Sequence, residues 1–233
     1  NAGVTGVSGV NLAAVNGLLS GLSAGDSDTL GEIQTAVDAA KAVLAGEPTK
    51  AQLDALGVTG VTDDNLAAVQ QALAGKTALE LSPITDLQAL VKTAVDQSAA
   101  AVSTISTALA STDTTPDISV ENYTKAGVTD VDADNLDEVN GLLSGLSAEQ
   151  SNAVKEIQAA VDAANAVLSA STATGDTPTQ AQLEVLGITG LTTDNLATVQ
   201  AAIQAAATAD VDSISELKAV VGAAADQSNL AIG

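Results

Sequence analysis

The sequence predicts an all-α protein made of tandem three-helix bundles, four related repeats arranged as two long units of about 124–130 residues. Three observations predict it. The chain repeats itself. Its aliphatic residues recur three and four apart. Residues that start and stop helices stand at the same place in each copy.

The repeats are direct. Asn16-Gly-Leu-Leu-Ser-Gly-Leu-Ser-Ala24 recurs unchanged at Asn140 to Ala148, 124 residues on. Glu32 to Leu44 recurs at Glu156 to Leu168 with two changes, and Ala51 to Gln70 recurs at Ala181 to Gln200. Within each long unit a shorter marker appears twice: Gly, an aliphatic residue, a polar stretch, Asn-Leu and a Val. It occupies Gly3 to Val15, Gly57 to Val69, Gly127 to Val139 and Gly187 to Val199. The expected domains are 1–46 (repeat 1, lacking its first helix), 47–112 (repeat 2, with an extended third helix), 113–171 (repeat 3) and 172–233 (repeat 4).

Each element has a local reason. Thr49 with Gln52, and Thr179 with Gln182, form capping boxes for a short first helix. Gly57, Gly127 and Gly187 stand where a left-handed residue ends that helix, followed by Val58, Val128 and Ile188. Ser8, Thr62, Asp132 and Thr192 are expected N-caps of the second helix, which buries Leu66, Val69, Leu73 and their counterparts. Ser82-Pro83 is expected to open the third helix, with Pro83 at its first position and Ile84, Leu87, Val91 and Val95 inward. In repeat 2 the register continues through Val102, Ile105 and Leu109, a lengthened third helix. Thr112 to Pro116 breaks it, and Ser169 to Thr179 reads as a flexible linker. Repeat 1 opens at Gly3 without a first helix, and repeat 4 stops at Gly233. This predicts a window on a longer array, or a protomer completed by a neighbour.

Composition excludes much chemistry. Twenty-nine acidic residues face seven lysines, for a net charge of -22, with no His, Cys, Met, Trp or Phe. Disulfides, thiolate nucleophiles and sulfur-ligated metals are absent, as is the usual general base. The excess of negative charge argues against nucleic acid and acidic membrane surfaces, and no apolar run is long enough to enter a bilayer. No charged-then-apolar leader opens at Asn1, so an export signal is expected outside this segment. Catalysis and cofactors are not expected.

Few residues invite a site. Asp130, Asp132 and Asp134 resemble the opening of a calcium loop, but an EF-hand needs Gly at its sixth position and Glu at its twelfth, where Asn135 and Gly141 stand. Tyr123, the sole aromatic residue, aligns with Leu53 and Leu183 and is expected in the core. Asn122-Tyr123-Thr124 is a glycosylation sequon in a helical setting.

The order of a helix, Gly57-Val58-Thr59, a capped helix with Asn65-Leu66, a loop and a third helix, met four times, resembles the albumin-binding GA module and its GA-like relatives. The resemblance implies small three-helix bundles in tandem on a bacterial surface protein. It does not carry albumin binding over. The family binds around the second helix with aromatic and large apolar residues, and here that stretch is Thr62-Asp-Asp-Asn-Leu-Ala-Ala-Val69.

The expected function is therefore a non-catalytic stalk, spacer or filament subunit of a bacterial extracellular adhesin, associating head-to-tail or with flanking repeats. The alternative is a GA-like module that captures a host or environmental protein. A spacer predicts bland polar faces in all repeats, and a binder predicts an exposed apolar patch.

Overall fold

The capping chemistry of the sequence closes the ends of a helical chain. The computed structural model describes residues 3–23, 25, 27–111, 116–172 and 177–232, and these hold helices and no strand. The α-helices are α1 (Leu12–Leu19), α2 (Leu30–Ala45), α3 (Lys50–Ala55), α4 (Leu66–Leu73), α5 (Ile84–Leu109), α6 (Val120–Ala126), α7 (Leu136–Leu143), α8 (Val154–Ser171), α9 (Gln180–Val185), α10 (Leu196–Ala205) and α11 (Ile214–Ile232).

The boxes form as predicted at α3 and α9. Thr49 and Thr179 accept from the backbone N–H groups of Gln52 and Gln182, whose side chains accept in return. The same exchange starts α2 at Thr29 and Glu32. At the other end Gly57 has φ 74°, its N–H donates to the Asp54 carbonyl, and the Val58 N–H reaches back to Leu53. This doubly bonded stop recurs at Gly127-Val128 and Gly187-Ile188.

Two helix starts differ from expectation. Ser8, Thr62, Asp132 and Thr192 open a turn, and the regular helices begin four residues later at Leu12, Leu66, Leu136 and Leu196. The N-cap place falls to Asn11, Asn65, Asn135 and Asn195, whose side chains serve the preceding turn and not their own helix. Pro83 stands just ahead of α5, its carbonyl accepting from the Asp86 and Leu87 N–H groups. The break predicted at 112–116 lies outside the described residues up to 115, as do 173–176 of the expected linker. The first part of that linker is helical instead. α8 runs to Ser171, because Ala170 is wholly buried and holds the last turn against the core.

The contacts divide the chain into two compact units, residues 1–100 with 124–127 and residues 101–123 with 128–233. In the first, one continuous cluster joins Val15 and Leu18 of α1, Val37, Ala40 and Val43 of α2, Leu53 of α3, Val69 and Leu73 of α4, and Leu87 and Val91 of α5. Segments 1–46 and 47–112 therefore do not core separately. α2, the last helix of one segment, packs on α3, the first of the next. Amphipathic faces say what must be buried but not against which partner.

The second unit repeats this plan. α8 packs on α7 and α9, α10 packs on α8 and α11, and α11 returns to α7. Its core includes Ile105, Leu109, Tyr123, Leu142, Ile157, Val161, Leu183, Val199 and Leu217. Helix α5 supplies residues up to Ala100 to the first unit and from Ala101 to the second. Its buried line is Leu87, Val91, Ala94, Ser98, Ala101, Ile105 and Leu109, spaced three and four apart throughout.

Glycines set one helix approach in each unit. A Cβ on Gly17 of α1 would overlap the Ser82 hydroxyl, and one on Gly141 of α7 would overlap the Asp212 carbonyl. Both places face the start of the third helix in the following segment. Glycine costs helix propensity there; at Gly141 the obstacle is backbone and cannot turn aside, whereas at Gly17 it is a hydroxyl that can rotate.

Candidate functional site

The most recurrent construction is a polar clamp on the loop before each second helix. In four places an Asn side chain accepts from one backbone N–H and donates to one backbone carbonyl. Asn65 accepts from Thr62 N–H at 2.8 Å and donates to Gly60 O at 3.1 Å. Asn11 joins Ser8 and Gly6, Asn135 joins Asp132 and Asp130, and Asn195 joins Thr192 and Gly190. The carbonyl they hold belongs to a residue with positive φ: Gly6, Gly60, Asp130 and Gly190. The Asn-Leu marker of the sequence is thus a loop clamp, a role that spacing alone did not reveal.

A second clasp comes from the third helix. Gln88 accepts from the Thr59 N–H at 3.0 Å and donates to the Thr59 carbonyl at 3.2 Å. Gln34 does this to Thr5 and Gln158 to Thr129. One carboxamide thereby mimics a strand partner for one loop residue. In the fourth segment the same offset of 29 residues from Thr189 leads to Lys218, which has no acceptor to offer.

Asp130, Asp132 and Asp134 do not form the calcium set considered for them. Asp130 accepts from the Thr129 hydroxyl, and Asp132 accepts from the Asp134 N–H at 2.8 Å. Among the described residues no group of three or more acidic side chains converges on a point that could hold a metal. Asp130 is instead a backbone residue, with φ 64° where the other three copies have glycine. Two amides secure its carbonyl, from Asn135 and Asn165.

Tyr123 is wholly buried, as its alignment with Leu53 and Leu183 predicted. Its hydroxyl donates to Asn140 Oδ1 at 2.8 Å, and Asn140 Nδ2 donates to the Ile118 carbonyl at 2.8 Å. Burial raises the phenol well above its ordinary pKa. Asn122, the sequon residue, accepts from the Ser119 N–H and hydroxyl, and its own N–H donates to Ser119 Oγ, which caps α6.

The carboxylates that depart from ordinary behaviour do so at helix starts or, for Glu80, in the turn ahead of α5. A hydrogen bond from Thr29 holds Glu32 below the usual range, and a shared hydrogen bond with Glu32 raises Asp28. Ser213 does the same for Glu216, while burial first and Glu216 second raise Asp212. The Thr77 backbone N–H lowers Glu80. Glu32 and Glu216 close helix starts and Glu80 closes a turn, and Glu32 also lines a shallow cleft with Thr29 and Thr35. Lys50, Lys76 and Lys92 pair with an acid one turn on, on exposed surface where such pairs contribute little.

The described clefts are shallow. One, lined by Ala68, Gln71, Ala94 and Gln97 among others, holds the Gln71 Oε1 atom, which is buried without a hydrogen-bond partner. No helix among the described residues is long and apolar enough to cross a membrane. No protein family, curated protein or solved structure matches the chain.

Proposed function

We propose that the chain is a non-catalytic structural segment, a stalk, spacer or filament subunit, of a bacterial extracellular surface protein or adhesin. The observation that carries this reading is the fourfold reuse of one loop, held by Asn11, Asn65, Asn135 and Asn195 on the same backbone groups. Side chains capable of chemistry are spent on backbone geometry. We read the four segments as tandem units of the three-helix kind, to which the likeness to GA-like modules points, paired two to a core.

An acidic surface with few cations keeps neighbouring chains apart in solution and suits an exposed array. The partners of such a segment are flanking repeats or further copies joined head-to-tail. The large exposed apolar residues among those described are Val10, Leu12, Leu30 and Leu79, three of them in the first segment. The described residues of the third and fourth segments include no such residue, which supports the spacer reading.

The test is capture from serum and from conditioned growth medium on the immobilised chain. The expected result is no stoichiometric partner. Recovery of one host or environmental protein at one copy per chain overturns the spacer reading and selects the binding module.

A further inference from the structure

Asn16–Ala24 and Asn140–Ala148 are the same nine residues, and the surroundings of 16–23 differ from those of 140–147. In the second unit this stretch is covered. Asn140, Leu143, Ser144 and Leu146 are buried, and so are Ser151, Val154 and Ile157 just beyond it. The cover is the end of α5 together with α6. The Gly145 N–H donates to the Leu109 carbonyl at 2.9 Å, the Ser151 hydroxyl donates to Ser106 at 3.2 Å, and Tyr123 bonds Asn140. Ile105, Leu109 and Ile118 are buried with them.

In the first unit the same surface is open. Asn16 and Ser20 are exposed, and Leu19, Leu22 and Ile33 are only half-buried. Leu30, the counterpart of buried Val154, is 51% exposed, and Leu12 is 47% exposed. Matching helix faces are covered in one unit and open in the other, although the turns that follow differ, with ψ -16° at Ser20 and 137° at Ser144 and a positive φ at Gly145. The chain itself shows what covers the face.

We propose that the open face of α1 and the start of α2 is a docking surface for a pair of helical stretches of the kind at 101–111 and 116–126, delivered by an adjoining repeat of the same array. The occupant is a long helix ending in aliphatic residues at the Ile105 and Leu109 places, followed by a short helix at the α6 place. This rests on reading the chain as a repeat array. The apolar residues left at Leu12, Leu19, Leu30 and Ile33 are the contact that such a stretch removes from water.

The test exploits the absence of cysteine from the chain. Leu30→Cys in the full-length chain supplies one thiol, and its labelling rate is measured with and without a duplicate of residues 99–126 fused directly ahead of Gly3. The graft is expected to slow labelling by at least about tenfold and to slow amide exchange across 12–33, as burial of a local surface requires. A second graft with aspartate at both aliphatic places should label at the original rate. An unchanged rate with the first graft overturns the proposal, as does equal slowing by both. If the ungrafted chain is protected as its own concentration rises, the face is a contact between copies and the proposal fails. None of these results depends on whether serum yields a partner.

Discussion

The Tyr123 hydroxyl lies 2.8 Å from Asn140 Oδ1, filling the place that a longer side chain takes elsewhere. Gln70 donates to the Pro48 carbonyl at 3.0 Å, Gln200 donates to Pro178 at 2.9 Å, and Asn140 donates to Ile118 at the matching site. Where the amide is Gln, the residue beneath it is Leu53 or Leu183. Where it is the shorter Asn, the residue is Tyr. The two positions have changed together. Tyr123→Phe should cost about 1–2 kcal/mol, because Asn140 Oδ1 is left buried and unpaired. The double variant Tyr123→Leu with Asn140→Gln should recover most of the stability lost by Tyr123→Leu alone. Denaturant titration of the four proteins yields the coupling, and simple additivity would refute it.

Alkaline titration reads the same residue. The phenol is raised in the folded chain, so the unfolded chain ionises first. The stability contributed by neutral Tyr123 is complete below the ordinary tyrosine pKa of about 10 and is lost as pH rises above it. Since Tyr123 is the only tyrosine, phenolate absorbance should appear together with loss of helical circular dichroism and not before it.

The carboxamide clasps predict a gain as well as a loss. Gln88→Ala should destabilise by about 1 kcal/mol and speed exchange of the Thr59 amide. Lys218→Gln should install the missing clasp and slow exchange at Thr189. Unchanged exchange at Thr189 would show that the loop of the fourth segment is held differently.

Acid should loosen some helix starts, and the turn held by Glu80, and spare other helix starts. The folded Glu32, Glu80 and Glu216 are depressed, so the stability that they contribute is present above the ordinary carboxylate pKa and is lost as pH falls through their folded values. Asp28 and Asp212 are raised and act in the opposite sense, losing their contribution as pH rises through their folded values. The boxes built on Gln52 and Gln182 do not titrate. Glu32→Gln should keep the start of α2 closed and remove its share of the acid dependence near pH 4, measured by amide exchange at residues 29–33.

Two helical glycines should answer alanine differently. Gly141→Ala forces a methyl against the Asp212 backbone, and overpacking of this kind costs about 1–3 kcal/mol. Gly222, in α11, has nothing within 4 Å of its missing Cβ, so Gly222→Ala should stabilise by up to about 1 kcal/mol. Thermal unfolding of the two variants should shift in opposite directions.

The helices, their doubly bonded glycine stops and the boxes at Thr49 and Thr179 were legible because each depends on residues within a few positions. The burial of Tyr123 was legible from its alignment with Leu53. The function of Asn65 was not, although its recurrence was plain, because a clamp on a loop and a cap on a helix share the same residue type. The Gln88 clasp spans 29 residues, so no local rule reaches it, though Gln34, Gln88 and Gln158 stand at one fixed distance from Thr5, Thr59 and Thr129. Sharing of one core by two segments was hidden for a different reason. Leu53 and Val43 each announce burial, and neither announces the other.

Closure of helix ends by a residue three places away has a genetic consequence. A segment such as Thr49 to Gly57 carries its own start and stop, so copying it elsewhere in a gene brings a finished helix with it. Duplication then needs only one new match, that of aliphatic face to aliphatic face. A chain written in this way keeps its helix ends closed when recombination between its own near-identical stretches lengthens or shortens it by a whole core-sharing pair.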